Sequence, residues 1–211
     1  MRPPESWKTA RVTLVLTALT AAVWLIGYPD RIHAALVAWG AFIPADVGHE
    51  LGFARAPLWL TPLTSALLHV NFIHLAFNLL IFVYCGRPTE AVLGSAAMLF
   101  LYVVGAYAAA AAQYLAGPDS GPMIGASGAV SAVLGAYAML FGRNKVKVAS
   151  PTLALWLHAL WLMAAWVGLQ LIVGIILGGV GLAIAVAAHI GGFLVGVLLA
   201  RPLLLFRYRK A

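Results

Sequence analysis

Charge is scarce in this sequence: only 9% of its 211 residues are charged, and only six of them are acidic. A soluble domain carries about a quarter charged residues and about half apolar ones. Here 64% are hydrophobic, which excludes a chain of soluble domains. The single cysteine, Cys85, excludes an intrachain disulfide and any cysteine-based zinc site. It reads as an inert apolar filler near a helix end. No internal repeat, low-complexity segment or linker divides the chain, so 1–211 is expected to be one membrane domain. The formal charge of +7 does not imply nucleic acid, because no basic patch with interleaved aromatics is present.

What the chain does have is long apolar runs. A membrane helix needs about 20 such residues, and six candidates fall at about 11–28, 66–85, 91–115, 123–142, 153–177 and 182–205. They are too long for barrel strands, and a backbone in lipid must satisfy its own hydrogen bonds, so helices are expected. The fold class is therefore all-α and polytopic, a six-transmembrane-helix bundle. With six spans both termini share a side. That side and its connections hold Arg2, Lys8, Arg11, Arg87, Arg143, Lys145, Lys147, Arg201, Arg207, Arg209 and Lys210, leaving only Arg31 and Arg55 opposite. The positive-inside rule then places both termini in the cytoplasm. The first run lacks a clear small-x-small cleavage site and reads as an uncleaved anchor rather than a signal peptide.

The first outer connection, about 29–65, mixes Leu36, Val37, Trp39, Phe42, Leu51, Phe53, Leu58 and Trp59 with Gly40, Pro44, Pro57 and Pro62. Such a segment suits the outer interface, with its aromatics at headgroup level. His33 and His49 within it read as solvated or interfacial histidines.

Orientation brings a set of polar residues to one depth. The second, fourth and sixth runs all lead from outside to inside. His74 and Asn78, Ser127 and His189 each lie within the first turns of one of these runs, and at ~1.5 Å per residue their depths agree. His158 begins a run that starts from the other side, so it is excluded. His74 and Asn78 are four apart and share one face. His189 shares a stripe with Gly192 and Gly196, and Gly128, Ala132 and Gly135 form a matching small stripe beside Ser127. Small faces let membrane helices approach closely. Packing alone explains the glycines, but not ionisable side chains held at one depth in lipid, where such groups mark function.

Serine is a weak nucleophile until a base takes its proton, and an imidazole suits that task near neutral pH. Glu90 is placed at the cytoplasmic edge of the third run, and no acidic residue falls in a well-buried part of any span. A Ser127–His189 dyad is therefore expected rather than a triad. Its oxyanion would be met by the Ser127 backbone N–H together with His74 and Asn78.

With these residues in place, the chain resembles the bacterial rhomboid intramembrane serine proteases. His69, His74 and Asn78 fit the family's His-x4-His-x3-Asn pattern. Gly125 to Gly128 fit its Gly-x-Ser-Gly, and Ala188, His189, Gly192 and Gly196 fit its last-helix motif. Glu90 and Gly94 fit a short Glu-x-x-x-Gly element. The resemblance covers about 60–205. It implies Ser127 as nucleophile, His189 as base, His74, Asn78 and the Ser127 amide as oxyanion donors, and a structural role for His69. It also implies transmembrane segments of single-span proteins as substrates, cut near the outer face of a bacterial inner membrane without a metal or other cofactor. A non-catalytic rhomboid-like binder of membrane helices is the alternative, but such relatives lack the serine or the histidine. A haem or metal protein fits less well, since His69 and His74 are five apart and no carboxylate or thiolate joins them. A transporter would show repeat symmetry, which is absent.

Two positions depart from the family. Trp59 is followed by Leu60 and Thr61 instead of an arginine, which leaves the docking of the first loop open. Ser131 stands four after Ser127, where an aromatic commonly packs against the base, so something else must orient His189.

Overall fold

A computed structural model describes residues 9–49, 55–142, 150–176 and 185–209, apart from the side chains of 170 and 173–176. Among these residues are eight α-helices: α1 (Arg11–Ile26), α2 (Asp30–Gly40), α3 (Thr61–Ser65), α4 (Phe72–Leu93), α5 (Ser95–Ala116), α6 (Ser127–Phe141), α7 (Pro151–Ile176) and α8 (Val186–Tyr208). Each of the six apolar runs carries a helix. Four helices are long and apolar enough to cross a membrane, namely α4, α5, α7 through its stretch Pro151–Leu169, and α8; α1 and α6 are shorter apolar helices. Of the basic residues used to assign sides, Arg2, Lys8, Arg143, Lys145, Lys147 and Lys210 lie outside the described residues, as do Leu51 and Phe53 of the first loop.

The bundle is built around α6. Twelve of its 15 residues are buried, as expected of a helix that is apolar or small on every face. It is packed so closely that Gly192 and Gly196 of α8 lie against the carbonyl oxygens of Gly128 and Ala132, and a Cβ on either would collide with them. Gly135 faces the carbonyl of Phe193 in the same way. Backbone therefore meets backbone along the α6–α8 seam.

The sequence reading starts this helix at about 123, but the helix begins at Ser127. Gly125 takes φ 126°, a left-handed value that breaks the helix and that side chains other than hydrogen rarely adopt. The non-helical backbone before it is held by protein, with the Gly125 N–H on the Ser65 carbonyl at 2.9 Å and Met123 paired with Phe42. Irregular backbone at membrane depth is tolerated in such surroundings.

The first loop docks without the Trp-Arg pair. Arg55 forms an ion pair with Asp46 and donates to the Ala41 carbonyl at 3.2 Å. Thr64 Oγ1 donates to the Gly40 carbonyl at 2.7 Å, and Tyr107 donates from α5 to the Trp59 carbonyl at 2.6 Å. Trp39 and Trp59 are exposed, Phe42 is buried, His33 is half-buried and His49 exposed. Cys85 is a free thiol in the apolar core.

Glu90 corrects the sequence reading. It sits in the last turn of α4, not in the next helix, and is 1% exposed. Its carboxylate accepts from the N–H groups of Val12 and Thr13 at 2.8 Å each, and from the hydroxyls of Thr13 and Ser95 at 2.7 Å each. The first turn of α1 has no intrahelical acceptors for its N–H groups, and its own N-cap, Ala10, offers no side-chain bond. A buried carboxylate is tolerable because these donors and the positive end of the α1 dipole surround it. Gly94, at φ 88°, then turns the chain straight into α5. We expect Glu90→Ala to cost about 3 kcal/mol, since it orphans several buried donors. The check is the midpoint of thermal unfolding in detergent, with Glu90→Gln losing less.

Candidate active site

Three helices begin at one place. His74 is the third residue of α4, Ser127 the first of α6 and His189 the fourth of α8. The first N–H groups of a helix lack partners within it, and its amino-terminal end carries partial positive charge, a setting that favours a developing anion. The start of α4 is capped by Asn71, whose side chain accepts from the His74 N–H at 2.8 Å.

Ser127 Oγ and His189 Nε2 lie 2.7 Å apart, and both side chains are buried, at 8% and 4% exposure. That separation suits proton transfer from a hydroxyl to an imidazole. Among the described residues His189 Nδ1 has no hydrogen-bond partner, carboxylate or otherwise. Glu90 is no candidate for that place: it lies sixteen residues beyond His74 on α4, about 24 Å along the helix.

His74 packs against Gly125, where a Cβ would sit 2.6 Å from its Cε1 and 3.0 Å from its Nε2. Asn78, one turn on and fully buried, donates from Nδ2 to the His74 carbonyl at 2.9 Å, while its Oδ1 has no partner among the described residues. A side-chain amide has two donor hydrogens, so one is left for another acceptor. His69 accepts the Ala126 N–H at 3.4 Å on Nε2 and packs against His74 with ring centroids 5.0 Å apart and the planes tilted by 58°. It holds the loop ahead of Ser127. His158 sits against Gly142, at the far end of α6.

The sequence reading missed Trp166. It reaches from α7 and donates its indole N–H to Ser131 Oγ at 2.7 Å, and its ring meets the His189 imidazole edge-on at 6.3 Å between centroids. Ser131 in turn donates to the Ser127 carbonyl at 2.6 Å. The available signal was Ser131 itself, a hydroxyl in an otherwise apolar helix that needs a polar partner.

A membrane-embedded helical bundle with a hydroxyl–imidazole pair at the converging ends of three helices defines the class. The chain belongs to the rhomboid family of intramembrane proteases, hydrolases of the membrane interior; the family model described as Rhomboid domain matches residues 57–206. Among its relatives is the rhomboid protease GlpG of Haemophilus influenzae, 32% identical over 196 residues that make up 89% of this chain and 88% of the relative. The rhomboid protease GlpG of Pectobacterium atrosepticum is 32% identical over 194 residues, but the match spans only 63% of that protein's length. The putative rhomboid protease YdcA of Bacillus subtilis is 32% identical over 136 residues, 64% of this chain and 65% of that one.

The α6–α8 seam sets the distance between hydroxyl and ring. We expect Gly192→Ala, which drives a methyl group into the Gly128 carbonyl, to slow fluorophosphonate labelling of Ser127 by about a hundredfold, the scale of an ångström of misplacement. Labelling rate against that of the unaltered protein is the measurement.

Proposed function

We propose that this protein is an intramembrane serine endopeptidase that cuts transmembrane segments of single-span membrane proteins with a Ser127–His189 dyad. The observation that carries this is the 2.7 Å contact between a buried serine and a buried histidine 62 residues apart in the chain. His189 Nε2 removes the Ser127 proton as Oγ attacks the scissile carbonyl carbon. The resulting oxyanion is met by the Ser127 N–H and by His74 and Asn78, with the three helix ends adding their fields. The imidazolium then protonates the leaving amine as the C–N bond breaks, and water, activated by the same ring, releases the acyl group from Oγ.

In this reading residues 1–211 act as one rhomboid-like unit with its core at about 60–205. All six apolar helices, α1 and α4 to α8, cross the bilayer, and both termini lie in the cytoplasm. The distribution of Lys and Arg supports that topology. The site then lies toward the extracytoplasmic side of a bacterial inner membrane, where water reaches it through an outward opening. Reporter fusions at each connection test the topology.

Purified protein in liposomes should cleave a tagged single-span substrate. Ser127→Ala and His189→Ala should each lower kcat by at least about a thousandfold. A fluorophosphonate probe should label Ser127; labelling of another serine, or cleavage surviving both substitutions, would overturn the assignment. Binding of the substrate helix with no cleavage by the unaltered protein would favour a non-catalytic helix binder. Separate His74→Ala and Asn78→Ala substitutions should each cost about a hundredfold to a thousandfold in kcat with the dyad intact, the usual loss for one oxyanion donor.

A further inference from the structure

The His189 ring is held by little polar contact. Its Nε2 faces Ser127, and its Nδ1 has no partner among the described residues. In enzymes with a third catalytic group, an acceptor behind the ring fixes its rotation. Here rotation about the side-chain axis would carry Nε2 off the hydroxyl, and among the described residues no hydrogen bond besides the one to Ser127 opposes it.

Trp166 stands where such an opposing group is needed. Only 17% of the apolar stretch of α7 is buried inside the molecule, against 39%, 39% and 33% for α4, α5 and α8. Leu157, Leu160 and Trp161 on the same helix are exposed, yet Trp166 is 3% exposed. It is therefore an inward anchor of a loosely embedded helix, and it touches the base. Its indole is fixed at the other end, because the N–H is bonded to Ser131 and Ser131 to the Ser127 carbonyl. Ser131 also borders the seam, since a Cβ built on Gly192 would lie 3.3 Å from its own. A closed chain of contacts thus runs from Ser127 through Ser131 and Trp166 to His189 and back to Ser127.

We infer that Trp166, pinned by Ser131, is the positioning residue of the base: α7 supplies across the bundle the ring support that no acidic partner among the described residues supplies from behind. This rests on the Ser127–His189 reading. It makes Ser131 a relay whose hydroxyl serves the catalytic geometry through the indole, and it ties the seating of α7 to the dyad.

The test uses the full-length protein in liposomes, with kcat, KM and the rate of fluorophosphonate labelling measured below the unfolding temperature of every variant. Trp166→Leu is expected to lower kcat and the labelling rate in parallel by about tenfold to a hundredfold, with KM within about threefold of the unaltered value. Trp166→Phe, which keeps a ring but loses the N–H, should recover part of that loss. Ser131→Ala should lower kcat in the native background and have little further effect beside Trp166→Phe, because both changes break the same bond. If Trp166→Leu lowers only the unfolding midpoint, or raises KM while kcat and labelling stay unchanged, the inference is overturned. If Trp166→Leu does not fold, Ser131→Ala and Trp166→Phe decide alone, and unchanged kcat in both overturns it. Loss of Ser127 labelling from the unaltered protein, or its persistence in His189→Ala, would instead strike the dyad reading itself.

Discussion

The contact of two helix backbones along α6 and α8 is the constraint on which the rest depends. A hydroxyl and an imidazole borne by separate helices meet at hydrogen-bond distance only if the helices run much closer than side chains usually permit. Gly192, Gly196 and Gly135 remove the atoms that would prevent it. The same closeness explains why eight of the 15 residues of α6 are glycine, alanine or serine, and why its bulkiest, Tyr137, Met139, Leu140 and Phe141, come toward its far end. Packing and chemistry are one feature here, since the stripe that seats the helices sets the reacting distance.

The candidate site was legible in the sequence to the extent that it is written in local spacing. Ser127 among glycines, His74 and Asn78 one turn apart, and His189 above two glycines all announce themselves because polar residues in apolar helices have few other uses. Trp166 was not legible. It is one of several tryptophans in an apolar helix, and only the third dimension tells that it turns inward while Trp161 turns out. Glu90 misled for a related reason. A carboxylate beside an apolar run looks like a boundary marker, and its burial becomes intelligible only when the start of α1, 77 and 78 residues earlier in the chain, is seen to supply its donors.

Helix starts were the other weak point. Hydropathy carried the fourth run back to about 123 and the second to about 66, because the segments before Ser127 and Phe72 are nearly as apolar as the helices themselves. The structure uses those apolar residues as packed, irregular backbone. Phe42, Met123, Ser65 and His69 satisfy or cover the loop, which lets the helix begin at Ser127 and points the α6 dipole at the Ser127–His189 pair. The docking of the first loop was open for a similar reason, since Arg55 and Asp46 are unremarkable apart from their pairing.

The helices also differ in reach, with a consequence for the surrounding lipid. The hydrocarbon layer is about 30 Å thick, whereas α1, with 16 residues, extends about 24 Å and α7, with 26, about 39 Å. On the proposed six-span topology, lipid beside the exposed Leu14, Val15 and Leu19 of α1 has to compress, while α7 can tilt to hide its excess length, each adjustment amounting to fractions of a kcal/mol per ångström. In that topology the protein sits in a lopsided dent of its own making, pinched beside α1, and membranes of different thickness weigh on its two flanks unequally.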